Sequence, residues 1–253
     1  MVTSDELDRL FLAGINDPTH ELEFFQAFLE AIVFAHGPLE EADPAKLHFV
    51  MFRSPDDKEW VIPVFTDRAK IERASSSTVR ILEMTGRQLL DLTRGAAIML
   101  NPNDWQCTLF REEIAQLLDH GILPPVQRFQ IEHDGDGCVY CLEVVPRAIR
   151  KAVKKALSGI ANVEVAYIAG SRWKSGEPDG VIVAVGGTAL SGEHAARAIA
   201  STLQLSLEPI DRGVDVTYFG PNMPEPPWIK DLKVPAMYRR KRSNAQKRNR
   251  HFN

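Results

Sequence analysis

The sequence predicts an α+β protein built from two α/β-sandwich-like domains, the second ferredoxin-like (βαββαβ) with an extra leading strand. Three observations carry this. The stretch from Glu59 to Asp104 alternates short apolar runs with helical patterns: EWVIPVFTD, then VRILEMTGRQLLDLTRG, then AAIMLNPND. From Cys138 to Phe219 the order of patterns is strand, helix, strand, strand, helix, strand. Between these halves stands Pro124-Pro125, a natural boundary. At 253 residues the chain suits two domains of ordinary size. The division expected is 1–123, 126–220, and a proline-punctuated extension with a basic, disordered tail, 221–253.

Element by element, Thr3 and Glu6 have capping-box spacing and start a helix near Ser4 that runs to about Ile15. Asp17 before Pro18 starts a second, with Leu22, Phe25, Phe28 and Leu29 at helical spacing. Ala31–Phe34 reads as a strand. Lys46–Arg53 and Trp60–Phe65 flank SPDDKE as a hairpin. Asp67 caps a short helix, Arg68–Ala74. Val79–Met84 is a strand, Thr85–Thr93 a helix, and Gly95 its stop. Ala96–Leu100 is short and continuously apolar, so it is expected in the middle of a sheet. Phe110, Ile114, Leu117 and Leu118 form a helical stripe ending near Gly121.

In the second half, Gln127–Glu132 and Cys138–Val145 flank DGDG as a hairpin. Pro146 opens a helix with Ile149, Val153 and Leu157 inward. Val163–Ala169 and Val181–Val185 form another hairpin, Ser191 caps the last helix, and Val214–Phe219 is the last strand.

Composition sets limits. Apolar content of 44% and charged content of 25% are ordinary for a globular protein. The longest apolar runs fall far short of the roughly 18 residues of a membrane span. MVTSDELDRL has no basic region before an apolar block, so no secretory signal is expected. Three cysteines provide no disulfide framework, which places the protein in a reducing cytoplasm. The net charge of −4 conceals an asymmetry. Arg239, Arg240, Lys241, Arg242, Lys247, Arg248 and Arg250 are seven of the 30 basic residues, leaving 23 against 34 acidic ones, a net −11.

Candidate chemistry is sparse. LNPND follows the central strand. Asn101 precedes proline and is expected to be extended. Asn103 and Asp104 then offer oxygens where α/β sheets hold ligands, and Asp67 follows the strand Trp60–Phe65. The competing reading has these groups bonding their own turn. Cys138 and Cys141 point to opposite faces of a strand and read as small buried hydrophobes rather than metal ligands. GGTALSGEH could hold an anion on free N–H groups but reads better as a capped turn. No motif calls for a cofactor, a metal or a nucleophile–base pair. Arg147, Arg150, Lys151, Lys154 and Lys155 share one amphipathic helix without an acid, and with the basic tail they could meet phosphates, anionic lipid or an acidic protein.

The chain resembles the SseB family, named for enhanced serine sensitivity. The resemblance rests on IPVFTD (Ile62 to Asp67), Gly86 with Leu89-Leu90, LNP (Leu100 to Pro102) before the Phe110 helix, Pro146 opening a helix, and VAYIA (Val165 to Ala169). It implies a bacterial cytoplasmic protein with N-terminal and C-terminal SseB domains and carries no agreed reaction. The function expected is a non-enzymatic regulatory or adaptor protein acting on a protein partner. Nucleic-acid or ribosome association through the tail is the alternative, and a small-ligand site or enzyme near Asp67 and Asp104 is the third reading.

Overall fold

The computed structural model describes residues 2–40, 46–54, 59–75, 78–105, 107–127, 137–173, 179–188, 192–206 and 212–240. Two compact units divide the chain at Phe129 and Gln130. Each combines helices with a mixed sheet, so the fold is a two-domain α+β fold. No helix among the described residues is long and apolar enough to cross a membrane.

The first unit begins with α1 (Ser4–Asn16), where Thr3 accepts from the Glu6 N–H as cap. After a 3-10 turn capped by Asp17 comes α2 (Glu21–Glu30). Then follow β1 (Ile32–Pro38), β2 (Phe52–Arg53), β3 (Trp60–Phe65), α3 (Arg68–Ala74), β4 (Val79–Thr85), α4 (Gly86–Leu92), β5 (Ala97–Leu100), β6 (Cys107–Leu109) and α5 (Arg111–His120). Thr85 and Gln88 close a reciprocal capping box on α4. Gly121 ends α5 in the left-handed region, φ 67°.

The sheet order is β4-β1-β3-β5-β6, with β2 also beside β3. Only β3 and β5 run parallel, Val61 opposite Ala97 through Val64 opposite Leu100. Strand alternation sends Val33, Ala35, Ile62, Val64, Ile98 and Leu100 to one face. There they pack on Leu7 of α1, Phe24, Phe25 and Phe28 of α2, Leu89 and Leu90 of α4, and Ile114 of α5. On the opposite face, Ile71 of α3 packs with Phe34 and Phe65. Lys46–Arg53 is a strand only at Phe52–Arg53. β6 has no counterpart in the sequence reading. The SPDDKE turn (55–58), the first three residues of DGDG (134–136) and most of Gln127–Glu132 lie outside the described residues.

His36 of β1 is buried, and its Nε2 lies 2.9 Å from Ser75 Oγ. That hydroxyl already donates to the Ile71 carbonyl (2.7 Å), so Nε2 must be the donor. Burial pushes the His36 pKa below its ordinary 6.5, partly opposed by the Ile71 carbonyl. The unfolded chain therefore binds the proton more readily than the folded one. The stabilisation is complete above about pH 6.5 and is lost as pH falls through the folded pKa. Urea melts at pH 7.5 and pH 5 should show this loss, and His36→Gln should flatten it.

The second unit contains β7 (Gly137–Tyr140), α6 (Arg147–Gly159), β8 (Val163–Trp173), β9 (Gly180–Gly187), α7 (Gly192–Gln204), β10 (Val214–Phe219), α8 (Pro227–Asp231) and β11 (Ala236–Arg239). The order β10-β9-β8 continues on the outer edge of β8 with two short strands. β7 covers Gly170–Trp173 and β11 covers Val165–Tyr167. Ile149, Val153 and Leu157 of α6, with Ala195, Ala198 and Ile199 of α7, bury one face. Val234, Trp228 and Leu232 pack on Ala169 and Ile182 of the other.

The element order is the expected one, but the pairing is not that of a split βαβ unit. β7 lies directly beside β8 and antiparallel to it, rather than being separated from it by another strand. Only β9 and β10, joined through α7, run parallel. The ferredoxin-like detail is corrected accordingly, and the extra leading strand falls outside the described residues.

The extension after Gly220 departs from the extended chain the sequence predicts, and order reaches Arg239 and Arg240, where disorder is expected to begin. It folds as α8 and β11, and Arg239 closes β11. The Arg240 N–H donates to the Glu164 carbonyl (2.9 Å). Its guanidinium donates to the carbonyls of Val163 (2.7 Å), Leu157 (3.4 Å) and Ile160. Leu157 and Ile160 lie at the C-terminus of α6, where carbonyls lack helical partners and a cation is favoured. Arg240→Ala should cost about 2 kcal/mol, read as a lower urea midpoint, with Arg240→Lys recovering part of it.

Candidate functional site

Parallel pairing of β3 with β5 brings two strand ends together, Thr66-Asp67 beside Asn101–Asp104. Asn101 is buried. Its N–H extends the ladder to the Val64 carbonyl (2.8 Å). Its Oδ1 accepts from the Thr66 N–H (3.1 Å), and its Nδ2 donates to Thr66 Oγ1 (3.0 Å). Asn101 is not extended, as the following proline had suggested, but left-handed with φ 43°. Asparagine tolerates that region better than most residues, and the two side-chain bonds to Thr66 hold it there.

Asp67 caps α3, its Oδ1 accepting from the Lys70 N–H (2.8 Å), while its Oδ2 accepts from Ser4 Oγ (3.3 Å). One turn on, Lys70 reaches back into the centre, with its side chain 11% exposed. Its Nζ lies 3.1 Å from Asp8 of α1, 3.6 Å from Asp67 and 3.4 Å from Asp104. It also donates to Thr66 Oγ1 (3.3 Å) and stands 5.3 Å from the centre of the Trp105 ring. Trp105 donates from Nε1 to Asp8 (2.9 Å) and stacks on Phe11 of α1 at 3.9 Å. One ammonium thus ties α1, α3 and the turn after β5 to the sheet. Its three N–H groups face more oxygens than they can serve at once.

Beside this clasp lies a hollow of about 220 Å³ lined by Phe65, Lys70, Arg73, Asn101, Asn103 and Asp104. That is smaller than the roughly 300–1,000 Å³ of common ligand pockets. Of the residues singled out in the sequence, Asp67 and Asp104 meet at Lys70, Asn101 holds the turn, and Asn103 lines only the hollow. Lys70, Asp8 and Trp105 were missed. Asp67 and Lys70 stand three apart at a helix start, a spacing that could have revealed the lysine. Nothing local points from Asp8 to either.

Arg147, Lys151 and Lys154 are exposed on α6, as are Arg150 and Lys155. Arg239 is exposed on β11, whereas Arg240 is turned onto the carbonyls at the end of α6. Lys241, Arg242, Lys247, Arg248 and Arg250 lie outside the described residues, as does the middle of GGTALSGEH (189–191). Cys138 and Cys141 are exposed, not buried as expected, because β7 is a short strand on the sheet's outer edge and ends at Tyr140.

The family model of the SseB protein N-terminal domain matches residues 10–116. No curated protein and no solved structure matches the chain. The matched residues run from α1 into α5 and include both strand ends and the central lysine. Through these residues the first unit is similar to the SseB protein N-terminal domain.

Proposed function

We propose that the protein is a non-enzymatic cytoplasmic regulatory or adaptor protein of the SseB type that works by docking a partner protein. The observation that supports this reading most is an exposed aromatic–arginine pair on the first unit. Trp60, at the start of β3, is 55% exposed, and the Arg53 guanidinium of β2 stands 5.2 Å over its ring. Tryptophan and arginine are the side chains most enriched at the energetic centres of protein interfaces. Leu12 and Ile15 of α1 are exposed as well, on a helix whose buried contact is Leu7.

The test is a tagged capture from native cytoplasm, with and without nuclease, comparing the natural chain with a Trp60→Ala, Arg53→Ala double variant. Loss of a nuclease-resistant captured protein in the variant is the expected result. An unchanged captured set overturns the reading.

A second reading rests on the hollow at the carboxyl ends of β3 and β5, the usual place for a small ligand in such sheets, where Asp104 is 49% exposed. An Asp104→Ala chain that keeps every activity of the natural one removes it. Nucleic-acid or ribosome association is tested by deletion from Lys241 onward. The deletion leaves Arg240 in place, so any loss of salt-dependent RNA binding belongs to the tail.

A further inference from the structure

The second unit carries a groove of about 400 Å³, within the usual range for bound ligands. It opens where the outer edge of β8 is interrupted. β7 pairs as far as Gly170 and β11 begins at Tyr167. Among the described residues no strand pairs with Ile168 and Ala169 on that edge. Ile168, Leu142, Val145 and Met237 line the groove, and the last three are only partly buried against the helical face of the sheet. Arg150 and Lys154 of α6 line it as well. Among the described residues neither is ion-paired. The whole helix, RAIRKAVKKALSG, carries five cations and no carboxylate. Val144 stands at the mouth, 79% exposed.

We propose that this groove docks a short acidic segment of a partner protein, an aliphatic side chain entering the groove while its carboxylates meet Arg150 and Lys154. The proposal rests on the adaptor reading and gives the partner a chemistry. Charge complementarity selects the occupant. The chain's own tail, 241–253, is basic and is repelled by α6. Nucleic acid would satisfy the cations but has nothing to place against Leu142, Val145, Ile168 and Met237. Glu143, which also lines the groove, repels any anion beside it, so the carboxylates of the segment are placed at Arg150 and Lys154. An acidic peptide with leucine or isoleucine uses both features.

The experiment follows fluorescence anisotropy of a labelled decapeptide of aspartate and glutamate around two leucines, titrated with the full chain. Saturable binding that weakens as salt is added is expected. The Arg150→Glu, Lys154→Glu double variant should lose about tenfold or more in affinity, as removal of interface charges commonly does. Val144→Asp, fully outside the core, should also weaken it. Replacing the two leucines by serine should weaken it in the natural chain.

Absence of saturable binding overturns the proposal, as does binding indifferent to the charge reversal or to the leucines. Tighter binding of a single-stranded 12-nucleotide RNA overturns it in favour of nucleic acid. Loss of peptide binding on deletion from Lys241 assigns the peptide to the tail and overturns it too. The Trp60→Ala, Arg53→Ala chain should bind the peptide normally. If peptide binding fails while capture dependent on Trp60 persists, only the groove is refuted. The converse refutes only the role of Trp60.

Discussion

Gly86→Ala is expected to destabilise the first unit by about 3 kcal/mol, the upper end of what overpacking costs. A Cβ there would lie 2.1 Å from the Phe28 carbonyl oxygen and 2.9 Å from its carbonyl carbon. Those are backbone atoms at the end of α2, so no side chain can swing aside. The Gly86 N–H also donates to the Ala31 carbonyl (3.0 Å), which locks the start of α4 against the end of α2. Relief of the clash must separate two helices that share Phe28, Leu89 and Leu90 in one core. Gly95→Ala is the control. Its φ is +90°, but nothing lies within 4 Å of the added carbon. That substitution should cost only the backbone strain, about 1 kcal/mol. Urea melts of the two variants separate the effects. Equal losses would show that close packing is not what requires glycine at 86.

Lys70→Met removes the cation from the clasp. Breaking a buried pair costs about 3–5 kcal/mol. Here the carboxylates of Asp8, Asp67 and Asp104 are 37%, 27% and 49% exposed, and water screens part of the loss. About 2 kcal/mol is the expected cost after that screening. Adding Asp8→Asn to Lys70→Met should recover stability, because one of the facing carboxylates is gone. Asp104→Ala alone should cost less than half as much, since it is the most exposed partner. A double-mutant cycle between Lys70 and Asp8 measures the coupling, and additive losses would refute it. Release of Trp105 from Asp8 and Phe11 should also appear as a red shift in tryptophan emission.

The long, periodic elements were legible because their patterns are local. Trp60–Phe65 and Ala97–Leu100 are apolar throughout their paired lengths, and α6 declares itself by spacing alone. What escaped depended on partners distant in sequence. Cys107–Leu109 and Ala236–Arg239 are too short to show a period, and they are strands because β5 and β8 offer them edges. The order of elements in the second unit was read correctly, but order does not determine neighbours, and β7 took the place beside β8. The candidate site was half visible. Asp67 and Asp104 sit in recognisable turns, whereas Asp8 reaches Lys70 across 62 residues of chain. Asn101 was misjudged because a preference imposed by the next residue yielded to side-chain bonds made across the sheet.

The last strand, β11, and the arginine behind it have a consequence for biosynthesis. A ribosome delivers β8 and α6 well before it delivers residues 236–240. Until then the early half of β8 has no outer neighbour and the end of α6 has no cation to cover its carbonyls. The second unit can therefore finish only after residue 240 has been translated. Products that stop short of Arg240 would present a bare strand edge, the feature that recruits other chains into aggregates.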